Sequence, residues 1–308
     1  MKKKIKIGTR GSKLALWQAD WVKSEIKKKF SDLEIEIIKI KTTGDKILDR
    51  PLAMIGGKGL FVKEIEKALF EKTIDIAVHS MKDMPGILPK GLVNDAVPVR
   101  ENPFDVLISK NNISLKKLPL KAIIGTSSMR RASQIKHIRP DLKIKSIRGN
   151  INTRIKKMES GEFDGILLAA AGLIRLGIKD KITEYFDENT MLPACGQGAL
   201  CIESRQDNQD IKSILQTINH SKTQISISGE RAFLKQIQGD CHIPVACFGK
   251  IEIEKIILTG LIASENGDQI IKDSITTHIS LAKQAGINLA NQLLSKGGKK
   301  ILENLKTK

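Results

Sequence analysis

A chain of 308 residues, 41% of them hydrophobic, has room for two or three domains and needs no disulfide framework, so Cys195, Cys201, Cys241 and Cys247 read as thiols. A formal charge of +18 first suggests nucleic acid, yet 8 Phe, 2 Trp and 1 Tyr leave little for base stacking. The 41 lysines also outnumber the 11 arginines and are scattered along the whole length, as on a solvated surface, so no nucleic-acid partner is expected.

Lys4 to Gly8 predicts a short strand, followed by a helix to about Phe30 in which Leu14, Trp17 and Trp21 share a face. Ile35 to Thr42 is strand-like, Phe61 to Glu71 helical, and Ile74 to His79 a buried strand. After Pro98 and Pro103 the pattern restarts with Val106 to Ile108, Ala122 to Gly125, a helix from about Ser128, Ile144 to Ile147, a helix from about Asn150, and Gly165 to Ala169. Such alternation argues for parallel α/β sheets. The segments 97–103 and 192–198 are punctuated by Pro and Gly, as where a chain leaves one lobe and later returns to it with a ligand cleft between; two ordinary loops are the alternative.

From about Asn219 the style changes. A helix through Glu230 and Phe233 leads to Gly239-Asp240-Cys241-His242, then to strands at Val245 to Phe248 and Ile256 to Ile262, and to a hairpin turn at Asn266-Gly267. A last helix steps through Leu281, Ala285, Leu289 and Leu293, and Gly297-Gly298 is expected to end it. The predicted domains are 1–98 with 199–218, 99–198, and a small α+β domain over 219–308. No apolar run approaches the ~20 residues that span a bilayer, and Lys6, Gly8 and Arg10 stand where a signal peptide would be apolar. A cytoplasmic protein without a membrane partner is expected. No CxxC pair is present, and no metal site is expected.

Three predicted strand-to-helix junctions share one design: Thr9-Arg10-Gly11-Ser12, Gly125-Thr126-Ser127-Ser128-Met129-Arg130-Arg131, and Ser146-Ile147-Arg148-Gly149-Asn150 with Arg154 in the next turn. Each offers free helix N–H groups, nearby hydroxyls and an Arg fork, and so suits a ligand with several carboxylates or phosphates. Any one alone reads as an ordinary N-cap with a surface Arg. Together they hold 5 of the 11 arginines, with Arg175 a further candidate. The loop Gly56-Gly57-Lys58-Gly59 fails the Walker A pattern, because Gly59 stands where Ser or Thr should bind magnesium. It reads as a glycine loop presenting Lys58, either a lid or a plain turn. Lys82 and Asp83 follow a buried strand and precede Pro85; a carboxylate there, beside anion sites, is a candidate acid, base or cation stabiliser.

The ordered motifs Thr9-Arg10, Leu14-Ala15-Leu16-Trp17-Gln18, Gly56-Gly57-Lys58-Gly59-Leu60-Phe61, Val78-His79-Ser80-Met81-Lys82-Asp83, Gly125-Thr126-Ser127-Ser128, Arg130-Arg131, Arg148-Gly149-Asn150, Gly196-Gln197-Gly198-Ala199 and the Cys241 loop resemble the hydroxymethylbilane synthase (porphobilinogen deaminase) family over essentially the whole chain. That resemblance implies two periplasmic-binding-protein-like α/β lobes with a hinge, plus the small third domain. It implies a transferase that joins four porphobilinogen molecules head to tail into a linear tetrapyrrole, releasing ammonia, as a monomer in haem biosynthesis. A dipyrromethane cofactor is implied as a thioether on Cys241, and Asp83 as the catalytic carboxylate. Arg10, Ser12, Lys82, Thr126, Ser127, Ser128, Arg130, Arg131, Arg148, Arg154 and Arg175 match positions that bind the acidic side chains of cofactor, porphobilinogen and growing polypyrrole, and Lys58 matches the covering loop. The cysteine loop departs from the family pattern, with Asp240 where a second Gly is expected and His242 after the Cys. The alternative from the same residues is a two-lobed cytoplasmic binding protein for a polycarboxylate, which would need neither Asp83 nor Cys241.

Overall fold

The computed structural model describes residues 4–46, 62–237 and 243–306; Lys58 and the loop 239–242 with Cys241 lie outside the described residues. The chain divides into two units, Met1–Glu101 with Ala199–Gln224, and Asn102–Gly198 with Ile225–Lys308.

Unit 1 contains β1 (Lys4–Arg10), β2 (Glu34–Ile40), β3 (Ile76–Ser80), β4 (Leu92–Ala96) and, after the chain has passed through 102–198, β10 (Leu200–Arg205). They form one sheet in the order β2-β1-β3-β10-β4. Helix Lys13–Lys29 begins at Ser12, whose side chain accepts from the Ala15 amide. It buries Ala15, Ala19, Val22 and Ile26 and ends in Lys27, Lys28 and Lys29, cations that suit the negative end of the helix dipole. Its apolar stripe packs on Ile5, Ile7, Ile35, Ile76 and Ile202. The opposite face of the sheet is covered through Ile65 and Leu69 of helix Lys63–Phe70, which meet Ile74 and Ala77. Each such side chain taken from water contributes roughly 1.5–3 kcal/mol.

Unit 2 contains β5 (Asp105–Ser109), β6 (Ile123–Gly125), β7 (Lys143–Lys145), β8 (Gly165–Ala169) and β9 (Glu184–Tyr185) in the order β7-β6-β8-β5-β9. It also carries an antiparallel meander of β11 (Val245–Glu252), β12 (Lys255–Ala263) and β13 (Ile270–His278). Helices Ser221–Gln236 and Ala282–Leu293 cross where a Cβ on Gly286 would stand 2.1 Å from the Gly229 carbonyl oxygen, so only glycine allows that approach. The expected Asn266-Gly267 turn is present, with Gly267 at φ +74°. The ending expected at Gly297-Gly298 is only a break. Gly297, at φ 110°, interrupts the helix, but Ile301 and Leu302 are buried in the same core, and a further helix, Lys299–Lys306, follows.

Alternation predicts parallel sheets; both five-stranded sheets are in fact mixed. β1 is parallel to β2 and β3, and β6 to β7 and β8, whereas β10 runs antiparallel to β3 and β5 antiparallel to β8. The reason lies in where the chain enters. β10 begins with Leu200 opposite Ser80, the last residue of β3, and β5 begins with Asp105 opposite Ala169, the last residue of β8. A strand that arrives at its neighbour's carboxyl end without a crossover helix has to run backwards.

Candidate active site

In unit 1 the carboxyl ends of β1 and β3 lie side by side, because the two strands are adjacent and parallel. Arg10, Ser12, Gln18, His79, Ser80 and Asp83 line a small pocket of about 70 Å³ there. Asp83 closes a single 3₁₀ turn, Met81–Asp83. Met81 and Met84 are buried on either side of it, the Met81 amide donates to the Ala199 carbonyl at 3.0 Å, and the Met84 amide to the Met81 carbonyl at 3.2 Å. Two apolar anchors three residues apart thus hold the turn while Asp83 stays exposed and Lys82 half-buried. Gln18 Nε2 donates to Ser80 Oγ at 3.0 Å and ties the first helix to the same strand end.

Arg10 is half-buried and donates from Nε to Asp45 Oδ1 at 3.1 Å, with Nη2 against the same carboxylate. Asp45 also accepts from Thr42 Oγ1 at 2.8 Å. Burial would push the Asp45 carboxyl up, but Arg10 and Thr42 together hold it below the usual range. The Asp45 carboxylate therefore fixes the guanidinium beside the pocket.

In unit 2 the ends of β6 and β7 are neighbours for the same reason. Thr126 is buried, and its Oγ1 accepts from the Ser128 amide at 3.1 Å; Ser128 caps helix Met129–Ile138, accepting from the Arg131 amide at 3.5 Å. Ser127, exposed, donates to the Ile147 carbonyl at 2.6 Å and meets Ser146 Oγ at 2.9 Å. Asn150 caps helix Ile151–Glu159, and Gly149 turns the chain into it at φ +114°. Arg148 and Arg154 are half-buried, and Arg154 Nε donates to the Gly149 carbonyl at 2.8 Å. Two of the three expected junctions thus form one continuous edge of hydroxyls and guanidiniums.

Arg130 and Arg131, expected as ligand forks, are 4% and 6% exposed and pair with Asp105, which is fully buried. Arg130 Nη1 donates to Asp105 Oδ2 at 2.6 Å and to the Leu192 carbonyl at 2.9 Å; Arg131 Nε donates to Asp105 Oδ1 at 2.8 Å, and its Nη1 to the Leu167 carbonyl at 2.9 Å. Burial pushes the Asp105 carboxyl up, and the two guanidiniums more than reverse this, holding it well below the carboxylate range. Gln197 Nε2 adds bonds to Asp105 Oδ1 at 3.0 Å and to the Pro103 carbonyl at 2.7 Å. Arg175, also buried, donates to the Gly198 carbonyl at 2.7 Å, and buried Glu230 accepts from the Gly196 amide at 2.7 Å. Gly196 and Gly198, at φ 75° and 86°, are held in this way by three long polar side chains.

Asp45, Asp105 and Glu230 escape a reading of local pattern, because each finds its partner in a distant part of the chain. A preference for Arg where Lys is abundant was the available signal for buried carboxylates. Among the described residues no group of three His, Cys, Asp or Glu side chains is arranged to hold a metal ion, and no helix is long and apolar enough to cross a membrane.

Each unit thus presents cationic and hydroxyl side chains at the carboxyl ends of its parallel strands, where open α/β sheets bind ligands, and the chain is an α/β protein with two sheet-containing lobes. Residues 5–213 match the family model described as porphobilinogen deaminase, dipyromethane cofactor binding domain, and residues 225–295 match the porphobilinogen deaminase C-terminal domain. The chain is 50% identical to the porphobilinogen deaminase of Geotalea uraniireducens over 300 residues, covering 97% of this chain and 94% of that one. It is 48% identical to that of Alkaliphilus metalliredigens over 303 residues, covering 98% and 96%. Among solved structures, the methionine binding protein MetQ aligns with 72% of this chain and 92% of its own, at 14% identity and a TM-score of 0.46. The chain belongs to the porphobilinogen deaminase family.

Proposed function

We propose that this chain condenses four porphobilinogen molecules head to tail into hydroxymethylbilane, with Asp83 as the catalytic carboxylate and Cys241 as the thioether attachment point of the dipyrromethane cofactor. The observation that carries the Asp83 assignment is its exposed carboxylate on a turn locked by Met81 and Met84, in the same pocket as Arg10 and Ser12. Loss of ammonia from porphobilinogen leaves a positive charge on the ring. A fixed carboxylate can hold the pyrrole N–H and stabilise that charge without reorganising, which is the electrostatic form of catalysis.

The donor chemistry of unit 2 fits the cofactor. Each of its rings carries an acetate and a propionate, and Ser127, Ser128, Arg148 and Arg154 offer hydroxyls and forked guanidiniums for such groups. When bound, the cofactor supplies the pyrrole carbon from which chain growth starts. Lys82 and Arg10 add cations in unit 1, and Lys58 is proposed as part of a covering loop that excludes water. Thr126 acts through Ser128, while Arg130, Arg131 and Arg175 are proposed to serve this edge by keeping Asp105 and the 196–198 turn in place. A division into domains 1–98 with 199–218, 99–198 and 219–308, a monomeric state and a cytoplasmic location complete the reading. The apolar cores beside the two five-stranded sheets share no residue, which supports a division between the first two.

Intact-protein mass spectrometry on material from cells able to make porphobilinogen tests this. The expected mass exceeds the chain by two porphobilinogens less two ammonias, and Cys241→Ser should lose that increment. An unchanged increment in Cys241→Ser removes Cys241 from the account. Asp83→Ala should keep the increment and lose almost all ammonia release; near wild-type release would assign the carboxylate role elsewhere.

A further inference from the structure

Behind the Asp83 pocket is a group of buried ionisable side chains without a role in the chemistry above. Glu203 of β10 is 0% exposed, His79 of β3 5%, and Glu66 of helix Lys63–Phe70 8%. Glu203 pairs directly with Ala77 across the β3–β10 ladder, and His79 stands two residues further along β3, so both point to the sheet face that helix Lys63–Phe70 covers. His79 Nε2 lies 3.2 Å from Glu203 Oε2. That ring nitrogen, both Glu203 oxygens and Glu66 Oε1 are buried without a hydrogen bond among the described residues. Such groups are expensive to keep inside a fold for packing alone.

Counting charge shows what the cluster can do. Two carboxylates and one imidazole with a single proton among them carry a net charge of −1; with two protons they are neutral. Burial and the neighbouring Glu203 push the Glu66 carboxyl up, against the pull of His79 and Lys63. Among the described residues, Cys201 stands opposite His79 on β10, and Arg10 and Asp83 line the same pocket. A cation in the pocket favours the one-proton, anionic state. Discharge of that cation favours proton uptake. The two charges cancel each other in a medium of low dielectric, where each is costly alone.

We propose that Glu66, Glu203 and His79 form the proton acceptor of the condensation, with His79, which lines the pocket, as the residue that takes the proton. This rests on the assignment of the Asp83 pocket as the place of reaction. Each coupling replaces a ring carbon–hydrogen bond by a carbon–carbon bond. The carbon–hydrogen bond breaks, its electron pair returns to the pyrrole ring, and the proton passes to His79 Nδ1, the nitrogen that does not face Glu203. Ammonia released in the same cycle carries the proton away as ammonium, and the cluster returns to its anionic state.

Porphobilinogen deuterated at its free ring carbon tests the assignment on the holoenzyme. His79→Gln should lower kcat roughly 100-fold, in the range for loss of a general base, and should raise the deuterium isotope effect on kcat well above the wild-type value. Asp83→Glu should slow turnover without raising it. An isotope effect raised in Asp83→Glu and unchanged in His79→Gln would make Asp83 the acceptor and overturn the proposal. Glu66→Gln, which preserves shape, should move the acid limb of the kcat profile to lower pH. Its intact mass should still show the cofactor. A limb identical to wild type would equally overturn the proposal.

Discussion

Arg154 Nε donates to the carbonyl of Gly149 at 2.8 Å, so the guanidinium stem is tied to the one residue that turns β7 into its following helix. Gly149 has φ +114°, and a Cβ there would stand 2.7 Å from Thr153 Cγ2 and 2.9 Å from Thr153 Cβ. Gly149→Ala should therefore cost on the order of 1–3 kcal/mol, visible as a lower denaturation midpoint. Because Arg148 and Arg154 flank the same turn, turnover should fall by more than the loss of folded protein accounts for.

Asp105→Asn should be among the more damaging substitutions in unit 2. It leaves Arg130 and Arg131 buried without their counter-charge, which costs about 3–5 kcal/mol. The pH dependence has a definite sign. The Asp105 carboxyl is held below its unfolded value, so its contribution is complete above the ordinary aspartate pKa, about 3.9, and is lost as pH falls through the folded value. Wild type should lose stability in that acid window by a component that Asp105→Asn lacks, as measured by urea denaturation at stepped pH.

Arg148→Lys retains the charge and discards the planar fork. If carboxylates are gripped in bidentate fashion there, kcat/KM should fall by about tenfold, one good hydrogen bond to a charged group. Equal kinetics would mean that charge alone matters at this position.

Asp240→Gly restores the second glycine of the cysteine loop. An anion beside Cys241 disfavours its thiolate, so removing it should speed cofactor attachment to apoprotein, followed by the rise of the adduct mass. His242→Ala should act in the opposite sense if the imidazolium assists. Equal rates in the two variants and wild type would show that neither neighbour governs the thiolate.

Local chemistry was legible in the chain and distant pairing was not. The helix starts at Ser12, Ser128 and Asn150 follow from side-chain oxygens capping nearby amides, a matter of three residues. The turn at Gly267 follows from the positive φ that Asn-Gly permits. By contrast, the backward runs of β5 and β10 depend on which end of the sheet the chain re-enters, and no periodicity encodes that. The pairing of Arg130 and Arg131 with Asp105, 25 and 26 residues earlier, is likewise not written in any local pattern. His79 lies within one of the ordered motifs, but its partners Glu66 and Glu203 come from a helix and from a strand made much later.

The position of β10 also sets an order of assembly. It lies between β3 and β4, so the gap in the middle of the first sheet is filled only by residues 200–205. While the ribosome is still producing the first hundred residues, β3 and β4 therefore each have a raw edge, and the nascent lobe cannot finish hydrogen-bonding itself. The lobe synthesised first is completed after the sheet of its neighbour, whose five strands all fall between 105 and 185 and can pair as soon as they emerge.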